Sequence, residues 1–165
     1  EYSIPAKVVS FSARGVTYAA GTTFKVLRDT DITVNAIGFN TEEGASVRLD
    51  TPTGIRFETK IDKATYDYLV QIYGEANIET GTYILPRKYL GLTAFDEYFA
   101  DGSKIDGEDY VKIVNEGFNN AKTAQTDGFY KYYGSLVDIF PHNYCTEFFG
   151  IGYIKFFDGI SFNYS

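Results

Sequence analysis

The chain has no tryptophan and no methionine, and only one cysteine, one histidine and four prolines in 165 residues. A single cysteine, Cys145, rules out an internal disulfide. One Cys and one His are too few for a zinc site of the usual ligand set. Nucleophilic catalysis of the Ser–His–Asp or Cys–His kind needs a base, and His142 is the sole imidazole. It lies in the turn-like stretch Phe140-Pro141-His142-Asn143-Tyr144, close before Cys145, where no third group orients the pair. A surface histidine and a small buried cysteine are the expected outcome. No apolar run approaches the ~20 residues that span a bilayer, so membrane insertion is not expected. The absence of methionine, even at position 1, leads to the expectation that the chain is part of a longer polypeptide.

What the chain has instead is aromatic residues. Phe and Tyr make up 18% of it, 14 and 15 residues respectively, and this bias with many Thr, Val and Ile favours strands. A length of 165 residues suffices for one core without disulfide or metal support. The net charge of −7 repels phosphate backbones, which argues against nucleic acid and anionic membranes and leaves neutral ligands such as polysaccharides, and cationic ones, open.

Periodicity places short strands in residues 1–40, at Ala6–Phe11, Thr22–Val26 and Asp31–Ile37, with turns at Gly15 and Gly21. Asn40–Gly44 is a polar break. This gives a small β appendage, or the first strands of a sandwich, over 1–40 and a main domain over 44–165. Ala45–Leu49 and Gly54–Ile61 then pair across Asp50-Thr51-Pro52-Thr53, with Val47, Leu49, Ile55, Phe57, Thr59 and Ile61 on one face. Asp62 is an N-cap, Tyr66, Leu69, Val70 and Tyr73 follow helical spacing, and Gly74 sits at the C-cap, so a helix is expected over 62–74. Ile78–Leu85, Tyr110–Val114, Phe129–Phe140, Thr146–Phe157 and Ile160–Tyr164 read as further strands, the last two joined at Asp158-Gly159. The expected fold is mostly β: an antiparallel, jelly-roll-like two-sheet sandwich with one inserted helix.

Several runs carry a family likeness. Gly44-Ala45-Ser46-Val47-Arg48, Pro52-Thr53-Gly54-Ile55-Arg56-Phe57, Gly81-Thr82-Tyr83-Ile84-Leu85-Pro86, Tyr133-Gly134-Ser135-Leu136-Val137 and Gly152-Tyr153-Ile154-Lys155 together resemble an uncharacterised domain. That domain recurs in multimodular secreted and surface proteins of Clostridia-like gut and rumen bacteria. The resemblance covers about residues 44–165. It implies a β-rich accessory domain, extracellular or attached to the cell surface, beside other modules of the same chain; it implies no catalytic or binding residues.

Candidate sites are therefore read from the residues. Sugar rings stack on exposed aromatic rings, and Phe129-Tyr130-Lys131-Tyr132-Tyr133 must divide its aromatics between two faces of a strand. Tyr130 and Tyr132 share one face and form a candidate platform; Tyr98 and Phe99 form a second, loop-borne one. Against both stands the habit of tyrosine to bury its ring and leave its hydroxyl wet. Arg48 and Arg56 are either a ligand clamp or partners in structural ion pairs with residues such as Glu58 or Asp50. The acidic turns over 101–109 fail the EF-hand pattern, because Ile105 falls at a ligand position and Asp106 where glycine is required. Asp101, Asp106 and Asp109 stay as candidates for a looser structural calcium site; no other cofactor is expected. A Lys–Asn isopeptide cross-link, as surface sandwiches sometimes carry, is a further candidate that sequence alone does not place. A glycosidase pair is unreadable among 22 acidic residues. The expectation is a non-catalytic carbohydrate-binding or adhesion module that recognises a polysaccharide. The alternative is a structural or protein–protein spacer.

Overall fold

The computed structural model describes residues 8–19, 31–36, 38–93, 98–99, 102–118, 128–157 and 162–164. The protein is mostly β, with three small antiparallel sheets and a single helix of more than two turns among the described residues. The expected strand over 22–26 and the Asp158-Gly159 turn lie outside those residues.

The first sheet has the order β2-β1-β3, from β1 (Val8–Ala13), β2 (Val16–Ala19) and β3 (Ile32–Ala36). β2 was not expected from periodicity. It exists because Arg14 and Gly15 both take positive φ, +53° and +76°, which makes a two-residue turn whose twist matches a hairpin. Phe11 is fully buried and stacks on Tyr18, centroids 5.2 Å apart. Among the described residues these strands pair only with one another.

The second sheet is organised by β6 (Gly54–Asp62). Phe57, Thr59 and Ile61 are buried and alternate with Arg56, Glu58 and Lys60, the period-2 pattern of a strand with one face inward. β9 (Phe129–Val137) pairs with the whole of one β6 edge, from Gly54 opposite Val137 to Asp62 opposite Phe129. The other edge is shared by β4 (Phe39–Thr41) and β5 (Ser46–Arg48). Between them the chain loops out through Gly44, at φ +83°. Val47 and Leu49 do not share the burial of Phe57 and Ile61: they are 64% and 82% exposed. β5 is an outer strand with one partner, and no described residue covers it. β9 stops at Val137, short of Phe140, because Asp138 turns the chain at φ +55° and donates its N–H to the Thr53 carbonyl at 2.8 Å.

The third sheet runs β11-β10-β7-β8: β11 (Phe162–Tyr164), β10 (Phe148–Phe157), β7 (Ile78–Pro86) and β8 (Val111–Val114). The antiparallel β10–β11 pairing bears out the expected terminal hairpin. Helix α1 (Lys63–Tyr73) follows β6 directly. The Asp62 carboxylate accepts from Thr65 N–H at 2.8 Å, and Gly74, at φ +81°, donates to the Val70 carbonyl at 2.9 Å. An N-cap of this kind is worth about 1 kcal/mol. Leu69 of α1 is fully buried and packs with Ile61, Ile154 and Phe156, joining helix and sheets in one core. A single helical turn, α2 (Arg87–Leu90), follows β7.

The second and third sheets face each other in a sandwich-like arrangement and come unusually close. A Cβ on Gly150 would lie 2.2 Å from Phe57 Cγ, one on Gly152 2.4 Å from Thr59 Cγ2, and one on Gly134 2.3 Å from Thr82 Cβ. Tyr132 crosses the gap and donates its hydroxyl to the Tyr153 carbonyl at 3.0 Å. Gly152 N–H reaches Thr41 Oγ1 at 2.7 Å, tying β10 to β4.

Candidate functional site

The tyrosines chosen from sequence are mostly structural. Tyr132 is completely buried, so it does not belong to a surface platform; its row of β9 faces the third sheet. Tyr130, on the same row, packs against Tyr66 and Phe118 and donates its hydroxyl to Asp67 Oδ1 at 3.1 Å. Tyr98 is 5% exposed beside Leu85 and Leu90 and under the Lys104 ammonium. Phe99 stacks on Tyr83, centroids 4.6 Å apart. These rings meet the ordinary requirement of aromatic side chains for contact area.

The exposed row of β9 is the other one, Phe129, Lys131 and Tyr133. Arg56 sits over the Tyr133 ring at 5.2 Å, a cation–π contact. A hydrogen bond to the Glu58 carboxylate raises the Tyr133 hydroxyl pKa, and burial adds to it. Arg48 donates to the Pro52 carbonyl at 2.6 Å and clamps its own turn. Among the described residues neither arginine has a carboxylate within ion-pair distance.

Asp101 lies outside the described residues. Asp106 Oδ1 accepts from Lys112 N–H at 2.8 Å and Asp109 Oδ2 from Ile105 N–H at 3.0 Å, so both carboxylates hold the turn that leads into β8. Among the described residues no three acidic, His or Cys side chains converge on a point that would hold a metal. His142 lies against the Phe140 ring, and Cys145 is exposed rather than buried.

A cleft of about 200 Å³ opens where four separate segments meet at one end of the sandwich. Its apolar floor is Ile84 near the end of β7, Val111 at the start of β8, Leu136 of β9 and Phe148 at the start of β10. Its rim carries Lys88 and Tyr89 from α2, Glu108 from the turn before β8, and Asn143 and Thr146 from the loop before β10. Each rim segment is fixed by backbone hydrogen bonds. Gly107 N–H donates to the Tyr110 carbonyl at 2.8 Å, Asn143 N–H to the Phe140 carbonyl at 2.8 Å, and Thr146 N–H to the Asn143 carbonyl at 2.9 Å. Arg87 N–H donates to the Glu147 carbonyl at 2.8 Å and anchors α2 to the same loop. Among the described residues the side chains of Glu108, Asn143 and Thr146 have no hydrogen-bond partner. The cleft thus offers an amide, a hydroxyl and a carboxylate above an apolar floor, with the Tyr89 ring beside them. Sequence reasoning did not find it, because no local motif links positions so far apart.

Near the start of β7, Glu79 Oε1 accepts from Tyr153 Oη at 2.9 Å and pairs with Lys112 Nζ at 2.7 Å. Burial by itself would raise the Glu79 pKa. The hydrogen bonds from Lys112 and Tyr153 outweigh it and hold the carboxyl below its ordinary value. A depressed carboxyl stabilises the fold above the unfolded-state carboxylate pKa, and that stability is lost as pH falls through the lower folded value. Glu79→Gln should therefore lower the thermal midpoint at pH 7, by no more than about 1 kcal/mol of stability because the pair is partly exposed. The difference from wild type should shrink as pH falls below the ordinary carboxylate range in a melting series; a gap that stays constant with pH would remove the charge from the explanation.

Among the described residues no helix is long and apolar enough to cross a membrane. No known protein family, curated protein or solved structure matches the chain, so a functional reading rests on the residues of the cleft and the surfaces around it.

Proposed function

We propose that this protein is a non-catalytic carbohydrate-binding or adhesion module of a larger extracellular bacterial protein. The observation that carries the reading is the end cleft. Asn143, Thr146 and Glu108 leave hydrogen-bonding groups unengaged above the apolar floor of Ile84, Leu136 and Phe148. Sugars need that combination, since their hydroxyls seek paired donors and acceptors while their C–H faces seek apolar or aromatic surface. The −7 net charge fits an uncharged ligand.

The test is a glycan array of plant and bacterial oligosaccharides, with affinity electrophoresis against soluble cellulose, xyloglucan, mannan, pectin and starch. Binding to at least one glycan is expected, weakened by Thr146→Val; silence on the array and in every gel sinks the reading.

A second reading, a spacer or protein–protein module without glycan binding, draws on a different feature. Val47 of the outer strand β5 and Leu49 just beyond it expose apolar side chains, and Val137 across the sheet is half exposed. Such an edge suits contact with a neighbouring module of the same chain. A two-module fragment in which Val47 and Leu49 become protected from solvent would favour it.

A further inference from the structure

The shape of the cleft limits what a glycan can present to it. Its volume of about 200 Å³ is below the roughly 300–1,000 Å³ of pockets that take drug-sized ligands, and suits one pyranose ring. A site for the interior of a polysaccharide needs a run of free rings along a groove or sheet face, and the exposed row of β9 offers none. Phe129 and Tyr133 are separated along β9 by Lys131, and four strand residues span ~13 Å. Tyr133 is already engaged by Arg56 and Glu58. The cleft lies at the strand ends, bordered by Lys88 and Tyr89 of α2 and by Asn143 at the end of the Pro141–Asn143 turn. Its lining carries two carboxylates, Glu108 and Asp109, against one ammonium, Lys88, so an anionic sugar meets net repulsion.

Resting on the glycan-binding reading above, we infer that the cleft takes one terminal residue of an uncharged saccharide, end-on, and not an internal stretch of chain. Asn143 and Thr146 then contact the ring hydroxyls, Glu108 accepts from a further hydroxyl, and the rest of the glycan leaves into solvent.

Calorimetric titration with cello-, xylo-, manno- and malto-oligosaccharides of increasing length tests this directly. In the series that binds, affinity should change by less than about twofold from disaccharide to hexasaccharide, because added units make no contact. Asn143→Ala should weaken binding at least about tenfold, the scale on which a site loses a ligand hydroxyl contact of about 1.4 kcal/mol, and Tyr133→Ala should leave it within about twofold. Melting curves of both variants confirm folding, and Asn143→Asp, which keeps the acceptor and the size, serves if Asn143→Ala does not fold. Oligogalacturonides should not bind. Affinity that climbs tenfold or more with chain length, binding lost in the Tyr133 variant but not in the Asn143 variant, or uptake of oligogalacturonides overturns the inference and leaves glycan binding standing. No binding at any length in any series overturns both.

Discussion

Gly150→Ala should destabilise the protein by about 3 kcal/mol, the upper part of the range for overpacking a core. The added methyl would stand 2.2 Å from Phe57 Cγ and 2.3 Å from Cδ2, and a phenyl ring has no flexible end to move aside. Phe57 is held in turn by β6, which pairs with β9 along its whole length and with β5 and β4 on either side of Phe57, so the backbone cannot yield cheaply either. For a chain of this size each kcal/mol lowers the midpoint by about 2–4 °C, so thermal unfolding followed by circular dichroism should shift by about 6–12 °C. Adding Phe57→Leu should recover part of the loss, since the two sites share one contact. Gly117→Ala, where no atom lies within 4 Å of the new Cβ, is the control and should change little. A Gly150→Ala protein as stable as the control would mean that the sheets do not meet as closely as described.

Tyr132→Ala should cost about 3–5 kcal/mol, the usual consequence of deleting a large buried aromatic side chain. Tyr132→Phe separates the ring from the hydroxyl, and should cost about 1–2 kcal/mol by leaving the hydroxyl contact to the Tyr153 carbonyl unmade. Burial raises the Tyr132 hydroxyl far above the ordinary tyrosine range, with hydrogen bonds involving Thr59, Gly81 and Tyr153 pulling weakly the other way. Tyr153 is raised too, by burial first and then by its bond to Glu79. A raised folded-state pKa stabilises the fold fully below the unfolded-state value, and the stability is lost as pH rises beyond it. The protein should therefore unfold cooperatively in alkali, above about pH 10, where free tyrosine ionises. Tyr132→Phe should make that transition shallower, because one of the buried phenols no longer titrates. An unchanged alkaline slope would show that Tyr132 is accessible to hydroxide in the folded state.

Much of the architecture could be read from local pattern. Asp62, the Tyr66–Tyr73 spacing and Gly74 place α1 because capping and helical periodicity are short-range properties. The β6 alternation and the β10–β11 hairpin are equally local. The orientation of β9 was not, because both of its rows carry aromatic residues: alternation says which side chains share a face, not which face turns inward. The signal that could have settled it is Gly134, which shares a row with Tyr130 and Tyr132. A glycine inside a strand marks a close approach of other groups, and here Thr82 makes that approach. Val47 and Leu49 misled for a different reason. Their pattern is that of a covered strand, but burial depends on what lies across from β5, which no local sequence records. The cleft was the least legible of all, since Tyr89, Glu108, Leu136 and Asn143 are far apart in the chain and become neighbours only in the folded sandwich.

The paired glycines and side chains between the two sheets also act as a set of keys. Phe57 and Thr59 project from one sheet into gaps at Gly150 and Gly152, while Thr82 projects the opposite way into the gap at Gly134. A shift of β9 by two residues would keep every side chain on its proper face, which hydrophobic patterning alone would tolerate. It would also carry Tyr132 or Leu136 to the position now held by Gly134, directly against Thr82. Only one sliding position lets all three keys seat together, so the alignment of this sandwich is chosen by its missing side chains.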